Sequence, residues 1–209
     1  CTAVTVPTKP LKNCGSFQCS LRQSTIYVEP QGEDCDMEAA WDACRQVFGI
    51  AAVARAVPCE KTVDAIVEAG LYAPSAKNLQ STKLVVVQDR ETLALLERVN
   101  AELFGDADGH PFYGAPMAVV VLSDSTYPCW LQDGALVIGN LMNAAAALGV
   151  GSCWINRAIE TFERPEGKAL LKKWGLGETW KGVGNCILGY TDAPVLGDKP
   201  RKEGRILRV

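Results

Sequence analysis

Histidine is almost missing from this chain: 209 residues hold a single one, His110, beside nine cysteines and a formal net charge of −3. One histidine excludes every metal site built on several, and the sequence offers no metal centre in their place. A Ser-His-Asp triad would have to recruit a loop residue flanked by Gly109 and Pro111, so His110 reads as a solvated loop side chain. Nine cysteines would ordinarily raise zinc or a disulfide framework, yet no Cys-x-x-Cys pair occurs. Gly-x-Gly-x-x-Gly and the Gly-Lys-Ser/Thr phosphate loop are absent too, leaving a Rossmann site or a P-loop without support. The slight acidity gives no general attraction to nucleic acid or anionic membrane. Apolar stretches are broken by Arg55, or by Asn140 and Asn143, well short of the ~20 residues that span a bilayer. No charged-then-apolar signal segment opens the chain, so the expected location is cytoplasmic, with neither membrane nor nucleic acid as partner.

What is present is ordinary globular composition, 48% hydrophobic and 22% charged. A chain of this size buries roughly 70% of its unfolded surface and needs no covalent staple. The cysteines are unevenly spread. Cys1, Cys14, Cys19, Cys35, Cys44 and Cys59 crowd the beginning, whereas Cys129, Cys153 and Cys186 sit in apolar surroundings and read as buried fillers. Residues 1–36, punctuated by Pro7, Pro10, Pro30 and Gly32, show no sustained helical or strand period and read as a leader. Met37 opens an amphipathic helix, MEAAWDACRQVF, with Asp36 as candidate N-cap, so the expected folded domain is 37–209, with residue 37 a candidate true start.

From Thr62 onward the pattern sharpens. Thr62 is the candidate cap of a helix carrying Val63, Ile66, Val67, Gly70 and Leu71 on one face, stopped by Ala73-Pro74. KLVVVQ (83–88) and MAVVVL (117–122) read as strands, with a helix over 91–103 between them. The alanine-rich segment 131–148 predicts a central helix, apolar nearly all round, ending at Gly149. A short strand over 152–156, a helix over 165–174 begun by Pro165 and ended by Gly175, and a strand over 183–190 complete the expectation. Strands alternating with helices argue an α/β or α+β sandwich.

No pair of carboxylates stands out for acid/base work, which leaves the difficult chemistry to a bound cofactor. Three segments are composed for holding one. In APSAKNLQ (73–80) small residues let a planar ligand approach the backbone, and the amides of Asn78 and Gln80 match a heterocycle edge; an ordinary Pro-Ser turn fits as well. In GVGSCWIN (149–156) a helix-to-strand turn aims backbone N–H groups outward, or Trp154 simply packs. The basic tail with Lys199, Arg201, Lys202, Arg205 and Arg208 either clamps a phosphate or is a solvated terminus.

Taken in order, VDAIVEAGLYAPSAKNLQS, FYGAPMAVVVL, DGALVIGNLMNAAAALGVGSCWI, GKALLKKWG, ILGY and KPRKEGR resemble the nitroreductase family of FMN-dependent oxidoreductases, from about Thr62 to Val209. The resemblance implies an α+β fold with a mixed central sheet, and a homodimer whose flavin sites draw on both chains. It implies that Pro74, Ser75, Ala76 and Asn78 line one side of the flavin with Gln80 close behind. Trp154, Ile155 and Asn156 would lie beside the isoalloxazine ring, and Lys199 and Arg201 would hold the phosphate. NAD(P)H would then reduce FMN at N5, and the flavin would pass the electrons to a nitroaromatic, quinone or similar small acceptor, with no side chain transferring hydride. One departure stands out. Family members usually carry Arg-Arg-Ser-x-Arg about 25 residues before the Pro-Ser turn, where this chain reads Gln46-Val47-Phe48-Gly49-Ile50. That departure keeps two alternatives in view, a flavin-binding protein with little turnover and another flavin reaction on the same fold.

Overall fold

The computed structural model describes residues 57–190 and 200–209. The expected leader, the helix expected from Met37, the segment 46–50 and Lys199 lie outside them. The described elements are α1 (Glu60–Leu71), a 3-10 turn (Ala76–Asn78), β1 (Thr82–Val87), α2 (Arg90–Phe104), β2 (Met117–Asp124), α3 (Trp130–Ala147), β3 (Gly151–Ile155), α4 (Ala158–Glu163), α5 (Pro165–Lys173) and β4 (Trp180–Gly189). The architecture is α+β. The strands lie in the order β1-β2-β4-β3, and every pairing among the described residues is antiparallel. The parallel pairing that would make the sheet mixed, as the resemblance implied, is not among them.

Helix boundaries follow local chemistry with one correction. Cys59, not Thr62, is the N-cap of α1; the Thr62 hydroxyl lies inside the first turn, 3.2 Å from Cys59 Sγ. Asp89 caps α2 by accepting from the backbone N–H groups of Glu91 and Thr92; the Thr92 side chain first, and then these N–H groups, hold its carboxyl below the usual range. Gly149 and Gly175, both at positive φ, let the chain leave α3 and α5 in the left-handed region that favours glycine. Helix α4 has no sequence counterpart: six residues are too few to show a period.

The sheet divides the core in two. On one face Val120, Leu122, Ile155 and Ile187 pack with Leu96, Phe162, Leu170 and Leu171 from α2, α4 and α5. On the other Val119, Val121, Cys186 and Leu188 meet Ile66 of α1 and Ile138 and Leu141 of α3. That double burial is why MAVVVL is apolar at every position rather than at alternate ones. Burial pushes the Cys186 thiol up to about 12 and raises that of half-buried Cys153, in line with cysteines that fill space. Helix α3 is central, yet Leu131 and Leu136 along it and Leu148 at its C-cap are exposed, so its apolar surface is only partly covered. Among the described residues no helix is long and apolar enough to cross a membrane.

A β-bulge completes the frame. Val121 pairs with Gly184 and Leu122 with Gly182, leaving Val183 as the extra residue. A Cβ on Gly182 would stand 2.4 Å from the Ala158 carbonyl oxygen, and one on Gly184 would stand 2.7 Å from both Ile138 Cδ1 and Trp154 Nε1. The missing side chains thus let α4 close on one face and α3 and Trp154 on the other.

Candidate functional site

The segment after α1 is short of regular hydrogen bonding and is built by its own polar groups. Ser75 is extended (φ −129°, ψ 153°), its carbonyl accepts from the Asn78 N–H at 2.9 Å, and its hydroxyl accepts from the Gln80 N–H at 3.0 Å. The Gln80 side-chain amide donates to Asn78 Oδ1 at 3.1 Å. Among the described residues, Asn78 Nδ2 and Gln80 Oε1 keep no protein partner, leaving one donor and one acceptor at the surface. Lys77, Asn78 and Gln80 have φ of 53°, 54° and 50°. Three left-handed residues without a glycine among them cost about 1–2 kcal/mol each, least for asparagine, and persist only where the surroundings over-determine them.

Asp133, in the first turn of α3, ties this turn to the rest of the fold. Its Oδ1 accepts from the Ala76 N–H at 3.0 Å. The residue is 4% exposed, and among the described residues its buried Oδ2 has no partner. Nothing in the sequence singled Asp133 out: a lone acid at a helix start reads as a favourable charge for the helix dipole.

The second segment runs from β3 into α4. Trp154 is 36% exposed, its indole lying against Gly184 beside Ile138 of α3; Ile155 is buried opposite Asn185, and Asn156 is exposed just past the strand. Among the described strands β3 has a neighbour on one side only, so part of its backbone N–H row is directed away from the sheet. Asn100 of α2, fully buried, donates from Nδ2 to the Asn156 carbonyl oxygen at 2.6 Å. Its Oδ1 accepts from Arg157 Nη1 at 3.4 Å, and Arg157, at φ 68°, lies with its guanidinium carbon 4.3 Å from the Phe104 ring centroid. Sequence reasoning missed Asn100 as well.

Both segments therefore attach to α3, one at Asp133 and one beside Ile138, five residues and about 7 Å further along the helix axis. Arg201 lies in exposed, non-regular chain. His110 is in the loop before β2 with its side chain 83% exposed, 3.9 Å from Glu97 Oε1 and away from these contacts.

The model of the nitroreductase family matches residues 54–190. The chain belongs to the nitroreductase family. That is a family of oxidoreductases, and the match spans every described element from α1 to β4. A relative from Archaeoglobus fulgidus, provisionally named as an NADH dehydrogenase/NAD(P)H nitroreductase, is 34% identical over 137 residues, 63% of this chain and 73% of its own. A nitroreductase from Bacteroides fragilis solved with bound FMN superposes with TM-score 0.74 at 28% identity, covering 81% of this chain and 98% of that one. A nitroreductase from Desulfitobacterium hafniense, at 22% identity and TM-score 0.73 over 82% of this chain and 98% of that one, shares the fold.

Proposed function

We propose that this nitroreductase-family chain binds FMN and uses NAD(P)H to reduce a small acceptor of the nitroaromatic or quinone type, working as a homodimer. The observation that carries the reading is the turn over residues 74–80. Its residues next to Pro74 are small, its backbone is held in an energetically costly form, and it leaves Asn78 Nδ2 and Gln80 Oε1 unpartnered among the described residues. A donor and an acceptor beside exposed backbone is the equipment that a flavin's pyrimidine edge needs, so the residues present fit the group. Pro74, Ser75 and Ala76 would lie along the ring, with Asn78 and Gln80 at its polar edge. Trp154, Ile155 and Asn156 would offer backbone N–H groups from the edge of β3, and Lys199 and Arg201 would bind the phosphate. FMN, when bound, supplies the hydride acceptor and donor that no side chain of this site provides. The protein's part is to orient the ring, exclude water and stabilise negative charge beside it. Exposed Leu131 and Leu136 on α3, with Leu148 at its C-cap, support a second copy as the cover for that helix.

The test is direct. The purified chain, given FMN, should show the flavin's visible absorption and lose it anaerobically on adding NADH or NADPH; no spectral binding at excess FMN would overturn the reading. Arg201→Ala should weaken FMN about tenfold, since a charge-assisted contact contributes ~1.5–3 kcal/mol, whereas Lys202→Ala should change little. Equal dissociation constants for the two would count against the phosphate assignment. A second reading, a flavin-binding protein with little turnover, is favoured by the sequence at 46–50, which lacks the family's arginines. Bound FMN that neither nicotinamide reduces would select it, and steady-state quinone reduction would exclude it.

A further inference from the structure

We propose that Asp133 is a positioning residue, whose buried carboxyl group holds the turn over residues 76–80 in its left-handed form and so sets how Asn78 and Gln80 meet the ligand. The inference rests on the FMN reading above for its functional half and on geometry alone for its structural half. Five hydrogen bonds shape this part of the chain. Four of them close within residues 75–80, accepted by the Ser75 carbonyl, the Ser75 hydroxyl, the Ala76 carbonyl and the Asn78 side chain. The fifth, from the Ala76 N–H to Asp133 Oδ1, reaches 57 residues away and fixes the turn to another element.

An aspartate at a helix start has a bland explanation in the helix dipole, but here its orientation argues otherwise. Asp133 accepts no hydrogen bond from its own helix; Oδ1 is given to Ala76, and Oδ2 is buried without a partner among the described residues. Leaving a buried acceptor unmet is costly, so a carboxyl at this position is explained by the turn it serves rather than by the helix it belongs to. The next residue supports this. A Cβ on Gly134 would stand 2.5 Å from Val183 Cγ2 and 2.9 Å from Ser123 Oγ, so glycine lets the start of α3 settle onto the sheet and brings Asp133 to the turn.

Two variants approach the bond from opposite sides. Asp133→Ala removes the acceptor, and Ala76→Pro removes the donor while suiting the extended conformation of Ser75. Asp133→Asn keeps an oxygen for the Ala76 N–H and serves as the conservative rescue. In the full chain without FMN, hydrogen exchange at the Asn78 and Gln80 amides should quicken about tenfold or more in Asp133→Ala and in Ala76→Pro, and stay near the parent rate in Asp133→Asn. FMN dissociation constants should follow the same order, about tenfold weaker for the first two and within about threefold for the third, with the double variant no worse than either single one. Unchanged exchange in both bond-breaking variants overturns the proposal. So does full additivity of their effects on FMN. If Asp133→Ala does not fold, Ala76→Pro against Asp133→Asn decides the same question. A parent protein that binds no FMN would sink the flavin reading while leaving the exchange rates to judge the clamp.

Discussion

Two left-handed turns without glycine flank the candidate site, and each is fastened by one buried polar side chain from a helix outside it. The turn over residues 76–80 presents a backbone N–H and is held by an acceptor, Asp133 of α3; the turn at Asn156 and Arg157 presents a carbonyl and is held by a donor, Asn100 of α2. The difference lies in what remains. Asn100 is used at both ends, with Asn156 on Nδ2 and Arg157 on Oδ1, whereas Asp133 is used on Oδ1 and, among the described residues, leaves Oδ2 unmet. A buried amide used on both its donor and its acceptor side marks a closed structural joint; a carboxyl used on one oxygen leaves the other to be met. The contrast teaches that the segments holding the exposed chemistry do not hold themselves.

The largest blow to this arrangement should come from Asn100→Ala. It strands the Asn156 carbonyl, frees Arg157 and removes a fully buried side chain, and should cost about 2–3 kcal/mol, read as a fall of ~5–10 °C in the thermal midpoint. A midpoint within one or two degrees of the parent would show that the second turn does not depend on its clamp. Gly134→Ala tests the other clamp without touching it. The added methyl must push α3 off Val183 and Ser123, at about 1–3 kcal/mol in denaturant unfolding, and should loosen the first turn along with the helix. An unchanged unfolding midpoint would mean that the contact relaxes freely.

The smallest effects should differ in sign. Arg157→Gly relieves a left-handed backbone but forfeits the bond to Asn100 and the contact with Phe104, so a net loss of about 1 kcal/mol is expected. Lys77→Gly relieves the same kind of backbone with an exposed side chain that makes no hydrogen bond or ion pair among the described residues. It should be neutral or stabilising by less than about 1 kcal/mol. Changes of the same sign and size at both positions would erase the distinction between a turn strained for its own residues and one repaid by its arginine.

The sequence made much of this visible, and the rest hidden, for physical reasons. The long elements are legible in the sequence: α2 by its helical period, α3 and β2 by near-continuous apolar runs, and all three fall within a residue or two of their expected bounds. Helix α4 escaped because six residues carry no repeat. The APSAKNLQ segment was marked by small residues and amides, and the structure finds there a turn with free amide groups. Asp133 and Asn100 left no mark, since what makes them matter is a partner more than fifty residues away, and no local pattern encodes that distance. Thr62 reads as the cap of α1 because threonine is a favoured capping residue, whereas the chain enters the helix at Cys59, which makes no side-chain cap bond.

The strand order β1-β2-β4-β3 also bears on how the protein comes into being. Among the described strands, the last to be made is the one inserted between β2 and β3, so a ribosome that has not yet released Trp180–Gly189 displays β3 without its described neighbour and β2 with one apolar side open. The sheet can close only after Gly189 has been made. Until then its most apolar strand is exposed to other nascent chains, and any truncation before Trp180 should yield aggregate rather than a smaller fold.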